Sequence, residues 1–162
     1  MKNLAACLIG AVTFLFVVPG MIYFVSVFVV WPINNERIRI CSVFLILFGI
    51  IFMIWSNIYI IKFGRGCPVD GFGVALGDRT KKLITAGPYR YSRNPMLLGT
   101  VVFYTGLSLI FNSYSAVLCC IVFAAGMAWL VKTFEEPRLY QDFGEEYLEY
   151  KKQTPLFLPK LK

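Results

Sequence analysis

The side chains best suited to chemistry in this sequence form two groups, one acidic and one made of basic and amide residues. Glu135 and Glu136 follow a long apolar segment, whereas Arg90, Arg93 and Asn94 precede another. If those segments form an antiparallel helical hairpin, the two groups lie side by side at one end of it. Carboxylates bind cationic or hydroxyl groups, and basic side chains bind anionic ones. The cluster therefore has two interpretations, a binding site or the surface anchors of membrane helices.

The composition excludes several other kinds of site. The 162 residues include no histidine, which removes His-based metal sites and Ser-His or Cys-His nucleophile pairs. The five cysteines lack zinc-ligand spacing, and Cys67, in a loop beside Pro68, is the candidate reactive thiol. We therefore expect no metal. The net charge of +7 comes from Lys and Arg residues that flank apolar segments, so we expect no nucleic-acid partner either.

Apolar runs predict the elements that position the acidic and basic groups. The chain is 58% hydrophobic and 15% charged, a composition typical of membrane proteins. Helices that span a membrane are predicted over residues 4–31, 40–61, 95–111 and 116–134, with a polar link at residues 32–39 and a tight turn at residues 112–115. The expected fold is all-α, a polytopic membrane protein with about four transmembrane helices and a C-terminal amphipathic cytoplasmic helix.

Local signals define the third and fourth helices. Asn94 and Pro95 are a favoured N-cap and a favoured first helical residue. Gly99 and Gly106 share one helix face, and we expect them to pack against Ala124, Ala125 and Ala128 of the fourth helix.

The C-terminal tail has the pattern of an amphipathic helix. Pro137 is expected to end or bend the fourth helix just after the acidic pair. Beyond it, Leu139, Phe143, Tyr147 and Tyr150 recur at helical spacing. We expect this tail helix to lie on the membrane surface or on the basic loop.

The charge distribution predicts one orientation in the membrane. Lys and Arg concentrate in residues 62–93 and in the tail, which places both regions, both termini and the site on the cytoplasmic side. This would be the inner or plasma membrane in a bacterium and the endoplasmic reticulum in a eukaryote. We expect a single domain over residues 1–162, with two anchoring spans in residues 1–62 and the loop, hairpin and tail of the catalytic part in residues 63–162.

Two sequence blocks resemble a known enzyme family. The first reads Thr85-Ala86-Gly87-Pro88-Tyr89, then Arg93-Asn94-Pro95 and Gly99; the second contains Glu135-Glu136 and continues through residues 143–152 to Pro155. Together they resemble the isoprenylcysteine carboxyl methyltransferase family and its phospholipid methyltransferase relatives. The resemblance covers about half the chain, from Lys81 onward.

This resemblance implies a cofactor, S-adenosyl-L-methionine, bound at the cytosolic membrane face. The implied contacts are Lys81, Lys82, Leu83, Ile84, Tyr89, Asn94, Pro95, Met96, Leu97 and Glu135. Residues 81–84 would act through their backbone, and Asn94 stands where the family usually has histidine. Methyl transfer from a sulfonium needs alignment more than acid–base chemistry, so a protein without histidine can perform it. Catalytic residues stay unassigned, with Glu135 and Arg90 as candidates.

The implied substrate positions are Val131, Lys132 and Glu136. Val131 stands where the family enzyme grips a substrate carboxylate with arginine, which puts a prenyl-cysteine substrate in doubt. In a regular α-helix Glu135 shares a face with Val131 and should look into the pocket. Glu136 should then point toward lipid headgroups or the tail helix.

The expected function is an integral membrane S-adenosylmethionine-dependent methyltransferase that acts on a lipophilic acceptor taken from the membrane lipids. The alternative enzyme function is a methyltransferase that acts on a phospholipid or on another small lipophilic molecule. The alternative of another class is a non-catalytic membrane binding or assembly protein that retains the fold.

Overall fold

The computed structural model describes residues 10, 12–64, 70–71, 74–75 and 80–157. Within these ranges the chain forms α1 (Thr13–Phe28), α2 (Glu36–Gly64), α3 (Pro95–Ile110), α4 (Tyr114–Phe143) and α5 (Glu145–Gln153), and a 3₁₀ turn at Gly87–Arg90. Strands β1 (Asp70–Gly71) and β2 (Val74–Ala75) form a two-residue antiparallel ladder that the all-α prediction did not include. Cys67, the candidate reactive thiol, lies outside the described residues.

Two of the described helices, α2 and α4, are long and apolar enough to cross a membrane. Only 17% and 22% of their most apolar windows are buried, so neither resembles the core helix of a soluble protein. The helices α1 and α3 are also apolar but shorter, at 10–17 residues over the described positions. The structure therefore confirms a helical, membrane-like fold, and the four-span arrangement stays a prediction.

The helices carry large apolar side chains outside and small polar ones inside. Phe44 and Val122 are 70% and 65% exposed, whereas Ser42, Ser56 and Ser108 are completely buried. Small residues allow helices to approach closely, and serine hydroxyls can bond to backbone carbonyls of a helix. Ser108, for example, donates to the carbonyl of Tyr104 at 2.8 Å. This inverted distribution suits a lipid surrounding.

The second helix begins earlier than the sequence predicted. The side chain of Asn35 accepts hydrogen bonds from the backbone of Arg37 and Ile38, and Glu36 adds a favourable charge to the first turn. Arg37 and Arg39 therefore belong to α2 and not to the polar link. The apolar run alone gave residue 40 as the start because charged residues look like a boundary in a membrane pattern.

The closest helix pair is α2 with α3, joined through facing glycines. A Cβ at Gly49 would lie 2.7 Å from the carbonyl oxygen of Gly99, and one at Gly106 would lie 2.9 Å from the carbonyl oxygen of Ser42. The prediction that Gly99 and Gly106 pack against the alanines of α4 is therefore wrong. Spacing identified the correct face of α3, but nothing in that spacing indicates which neighbour it meets.

The turn between α3 and α4 lies against the link between α1 and α2. Asn112 adopts a positive φ of 55°, and the Ser113 side chain caps α4 by accepting from the backbone of Ala116. The Tyr114 backbone N–H donates to the carbonyl of Trp31 at 2.8 Å. These contacts hold the link and the turn at one end of the bundle, and the end of α2, the start of α3 and residues 135–136 of α4 lie at the other.

Pro137, which is predicted to end or bend the fourth helix, does not end it. A π-helical turn, Val131–Glu135, comes just before it, and the helix continues to Phe143. The wider turn accommodates a residue that has no N–H to donate. Pro19 in α1 likewise follows a π turn at Thr13–Val17. The tail helix is instead interrupted at Gly144, where φ is +56°, and only then does α5 begin.

Candidate active site

The site starts at the N-terminus of α3, where Asn94 has two functions. Its Oδ1 accepts a hydrogen bond from the backbone N–H of Leu97 at 3.1 Å, which caps the helix as predicted. Its Nδ2 donates to Oε2 of Glu135 at 3.4 Å. Pro95 occupies the first helical position, also as predicted. The predicted convergence of the acidic pair with the start of the third helix is therefore present in the structure.

A second contact between the start of α3 and the α4 helix lies beside the contact of Asn94 with Glu135. Arg93 Nη1 lies 2.6 Å from Oε1 of Glu136, and Lys151 Nζ lies 2.6 Å from Oε2 of the same carboxylate. The Glu136 and Arg93 side chains are only 7% and 11% exposed. We call Arg93, Glu136 and Lys151 the ion triad. Two consecutive residues at the start of α3 thus contact two consecutive residues of α4.

The acidic pair lies at the end of a π-helical turn. In the π turn the backbone N–H of Glu136 bonds to the carbonyl of Val131, five residues earlier. Glu136 and Val131 are both buried, at 6% and 2% exposed. Glu136 is predicted to point toward lipid headgroups or the tail helix, and of these two alternatives the structure shows the tail helix, through Lys151. Glu135 is half-buried.

Tyr89 lies in the 3₁₀ turn that leads to α3. Its hydroxyl lies 3.1 Å from that of Ser56 in α2, and its carbonyl accepts a hydrogen bond from the Tyr150 hydroxyl at 2.6 Å. Burial, and then the charge of Glu135, raise the pKa of Tyr89 well above its ordinary value, so that the phenol keeps its proton. Gly87 has a φ of +63°, and a Cβ there would clash with the ring of Tyr59.

The segment before Tyr89 rests on the end of α2. The backbone N–H of Lys81 donates to the carbonyl of Gly64 at 2.9 Å, and Ile84 is buried against the same glycine. The Lys81 and Lys82 side chains are exposed and Leu83 is half-buried. This arrangement places the residues expected to act through their backbone beside the 3₁₀ turn.

The remaining predicted residues lie in different surroundings. Val131 and Leu97 belong to a buried cluster with Leu156, and Met96 is half-buried. Arg90 and Lys132 are exposed. Their predicted roles in catalysis, cofactor binding or substrate binding stay predictions.

Residues of the tail complete the site on its outer side, through contacts that the sequence analysis did not predict. The Ser92 hydroxyl donates to the carbonyl of Leu156 at 2.6 Å, and the Arg93 backbone N–H donates to that of Pro155 at 2.9 Å. The Tyr147 hydroxyl accepts from Arg93 at 3.5 Å. Burial, followed by the charge of Glu136, raises the pKa of Tyr147 to about 12. The amphipathic spacing of the tail gave its buried face but not these partners.

These observations define a class of protein: a helical, membrane-like chain with a polar site where two apolar helices and a C-terminal tail meet. A sequence model of the phospholipid methyltransferase family matches residues 38–146. The chain belongs to that family, and the resemblance seen in the two sequence blocks is confirmed.

A human relative extends this comparison. Over 90 residues the chain is 34% identical to protein-S-isoprenylcysteine O-methyltransferase from Homo sapiens, a match that covers 51% of this chain and 29% of the human protein. The chain thus spans under a third of the length of that curated relative. No solved structure matches the chain.

Proposed function

We propose that the chain is an integral membrane methyltransferase that uses S-adenosyl-L-methionine and acts on a lipophilic acceptor. The observation that carries the proposal is that the family match includes both Asn94 and Glu135, which lie in contact at the helix ends. The human relative is named for a methyl acceptor, isoprenylcysteine, that has a lipid-like part. That name supports a lipophilic acceptor for this chain.

The charged and polar side chains of the site fit the chemical groups of this cofactor. Glu135 offers a negative charge for the ammonium or a ribose hydroxyl, and the exposed Lys81 and Lys82 offer positive charge for the carboxylate. The Tyr89 phenol, which stays protonated, keeps a hydrogen to donate. Asn57, next to Ser56 in the chain, has a buried Oδ1 that lacks a hydrogen-bond partner in the described part of the structure. A buried acceptor of this kind suits a ligand that brings a donor.

When bound, the cofactor supplies an activated methyl group on its sulfonium. What the protein contributes is orientation, because a displacement needs donor and acceptor in line, and such alignment can supply roughly 7–11 kcal/mol of the barrier. Asn94 and Glu135 hold each other across the helix ends, and Ser56 and Tyr150 hold Tyr89. The apolar exterior gives an acceptor access from the bilayer.

A phospholipid headgroup or another small lipophilic acceptor is the second candidate. Val131, which stands at the position that grips a substrate carboxylate in the isoprenylcysteine enzymes, is 2% exposed and packs with Leu97 and Leu156. A buried aliphatic side chain cannot form the bidentate bond that a carboxylate takes from arginine. This favours an acceptor without a carboxylate.

We also propose four spans, with the site on the cytoplasmic side. The support is geometric: the link before α2 and the turn before α4 lie together at one end, and the basic segment 80–94 lies at the other with the tail. The excess of Lys and Arg at that second end favours the cytoplasm.

The test is incubation of membranes that contain the protein with radiolabelled S-adenosylmethionine, followed by separation of lipids and proteins. We expect label in a lipid fraction with the wild type and a strong loss of it with Tyr89→Ala or Asn94→Ala. Calorimetric titration of the purified variants should show weaker cofactor binding while their circular dichroism stays helical. Cofactor binding without any transferred label would support the non-catalytic alternative, and two variants that bind like the wild type would place the pocket elsewhere.

A further inference from the structure

The ion triad places an almost fully buried carboxylate between two cations, directly beside the pair proposed to bind the cofactor. Arg93 precedes Asn94 and Glu136 follows Glu135 in the chain, so the two contacting pairs are joined through the backbone on both sides. Glu136 uses its two oxygens for two different partners, Arg93 Nη1 and Lys151 Nζ, each at 2.6 Å. The side chain thus joins the start of α3, the α4 helix and α5 at a single point.

We propose that Glu136 is a positioning residue that fixes Arg93 and Lys151 and thereby keeps Glu135 paired with Asn94. The inference rests on the proposed function, since the pair it positions is the one assigned to the cofactor. It replaces the expectation, made from the sequence, that Glu136 contacts the substrate. Glu136 is 6% exposed, and both of its oxygens already face cations of this chain.

The reason for the arrangement is that a buried arginine needs an anionic partner. The Arg93 side chain is 11% exposed, and its Nε is buried without a hydrogen-bond partner in the ranges that the structure describes. If Glu136 lost its charge, the nearest carboxylate along the helix would be Glu135. Charge-assisted bonds to arginine are stronger than the bond from a neutral amide, so Arg93 would compete with Asn94 for Glu135.

Neighbouring contacts show that the charges share one small region. The Tyr147 hydroxyl bonds to Arg93. Burial and then the charge of Glu136 raise the pKa of Tyr147, and the charge of Arg93 lowers it. Lys151 is 43% exposed and reaches Glu136 from α5, so it is the member of the ion triad that water screens most. The order of importance within the ion triad is therefore Glu136 and Arg93 first, and Lys151 second.

The experiment compares Glu136→Gln with the double variant Arg93→Gln/Glu136→Gln in detergent-solubilised full-length protein, by calorimetric titration with S-adenosylmethionine. We expect the single variant to lose affinity by about tenfold or more, since close charged partners couple strongly. The double variant should recover most of that affinity, because it has no unpaired arginine to compete for Glu135. A double variant that binds as weakly as the single one, or more weakly, would show that Glu136 acts only through stability.

Two further variants serve as controls. Glu149→Gln removes an exposed carboxylate of α5 and should leave affinity unchanged. Ser108→Ala lowers stability by removing a buried hydroxyl near the opposite end of α3 and should not weaken binding. Where Glu136→Gln does not fold, Lys151→Met provides the test with a smaller expected loss, roughly threefold. An affinity equal to that of the wild type would contradict the proposal.

A measurement without cofactor separates this inference from the proposed function. The backbone N–H of Leu97 bonds to Asn94 Oδ1, so its hydrogen exchange reports whether Asn94 stays in place. We expect faster exchange at Leu97 in Glu136→Gln and near wild-type exchange in the double variant. A wild type that fails to bind S-adenosylmethionine would overturn the proposed function only. Unchanged exchange in Glu136→Gln would overturn the positioning role.

Discussion

The contact between α2 and α3 makes a sharp prediction about Gly49. A Cβ at this position would lie 2.7 Å from both the carbonyl oxygen of Gly99 and the backbone nitrogen of Phe103. Ordinary contact begins near 3.4 Å, so Gly49→Ala requires the helices to separate by about 0.7 Å. Overpacking of this kind costs about 1–3 kcal/mol. Because the atoms met are backbone atoms, no side chain can rotate away to relieve the contact.

Gly126 provides the matched control, since it also lies in a long helix and a Cβ there would meet nothing within 4 Å. Both alanine variants gain the same helix propensity, about 0.5–1 kcal/mol, so the difference between them reports overpacking alone. At roughly 2–4 °C per kcal/mol, Gly49→Ala should unfold about 2–12 °C below Gly126→Ala when followed by circular dichroism in detergent micelles. Equal melting temperatures would show that the helices are not in backbone contact here and would refute the reasoning.

Three further predictions concern the site and its orientation. Glu135→Gln should weaken S-adenosylmethionine binding by about 2–5 kcal/mol in calorimetric titration, and the exposed Glu145→Gln should not; an unaffected Glu135→Gln would remove the cofactor role of that residue. Because burial raises the pKa of Tyr147 to about 12, the folded state retains a proton that the unfolded state loses from pH 10. This contribution to stability is complete below pH 10 and falls as the pH rises to 12; in Tyr147→Phe the alkaline slope should be shallower, and an identical slope would contradict the assignment. Reporter fusions near Asn34 and at Lys162 should give external and cytoplasmic signals respectively, and a cytoplasmic signal near Asn34 would contradict the four-span proposal.

The sequence predicted the helical fold and the convergence of the two helix ends because those features depend on local signals. Asn94 and Pro95 start a helix through capping chemistry, and a short turn forces a hairpin. The partner of each helix face could not be predicted in the same way. Gly99 was assigned to α4 but packs on α2, because small residues show that a close approach exists without naming the neighbour.

The contacts of the tail and the π turn beside the acidic pair could not be predicted from the sequence, for two different reasons. The Ser92 hydroxyl donates to the backbone carbonyl of Leu156, which is far away in the sequence. Because every residue has such a carbonyl, the residue type of Leu156 gives no sign of the bond. The π turn before Pro137, which changes the helical register at the acidic pair, has no distinctive composition. The local signal that could have indicated a π turn is Pro137, a proline inside a long helix.

The π turns also change how the helices should be read along their length. A helical wheel with a single period assigns each residue a fixed phase, yet the turn at Val131–Glu135 advances the phase by one residue. In a scan of side-chain accessibility along α4, the pattern before Val131 and the pattern after Glu135 should therefore each be periodic but offset from one another.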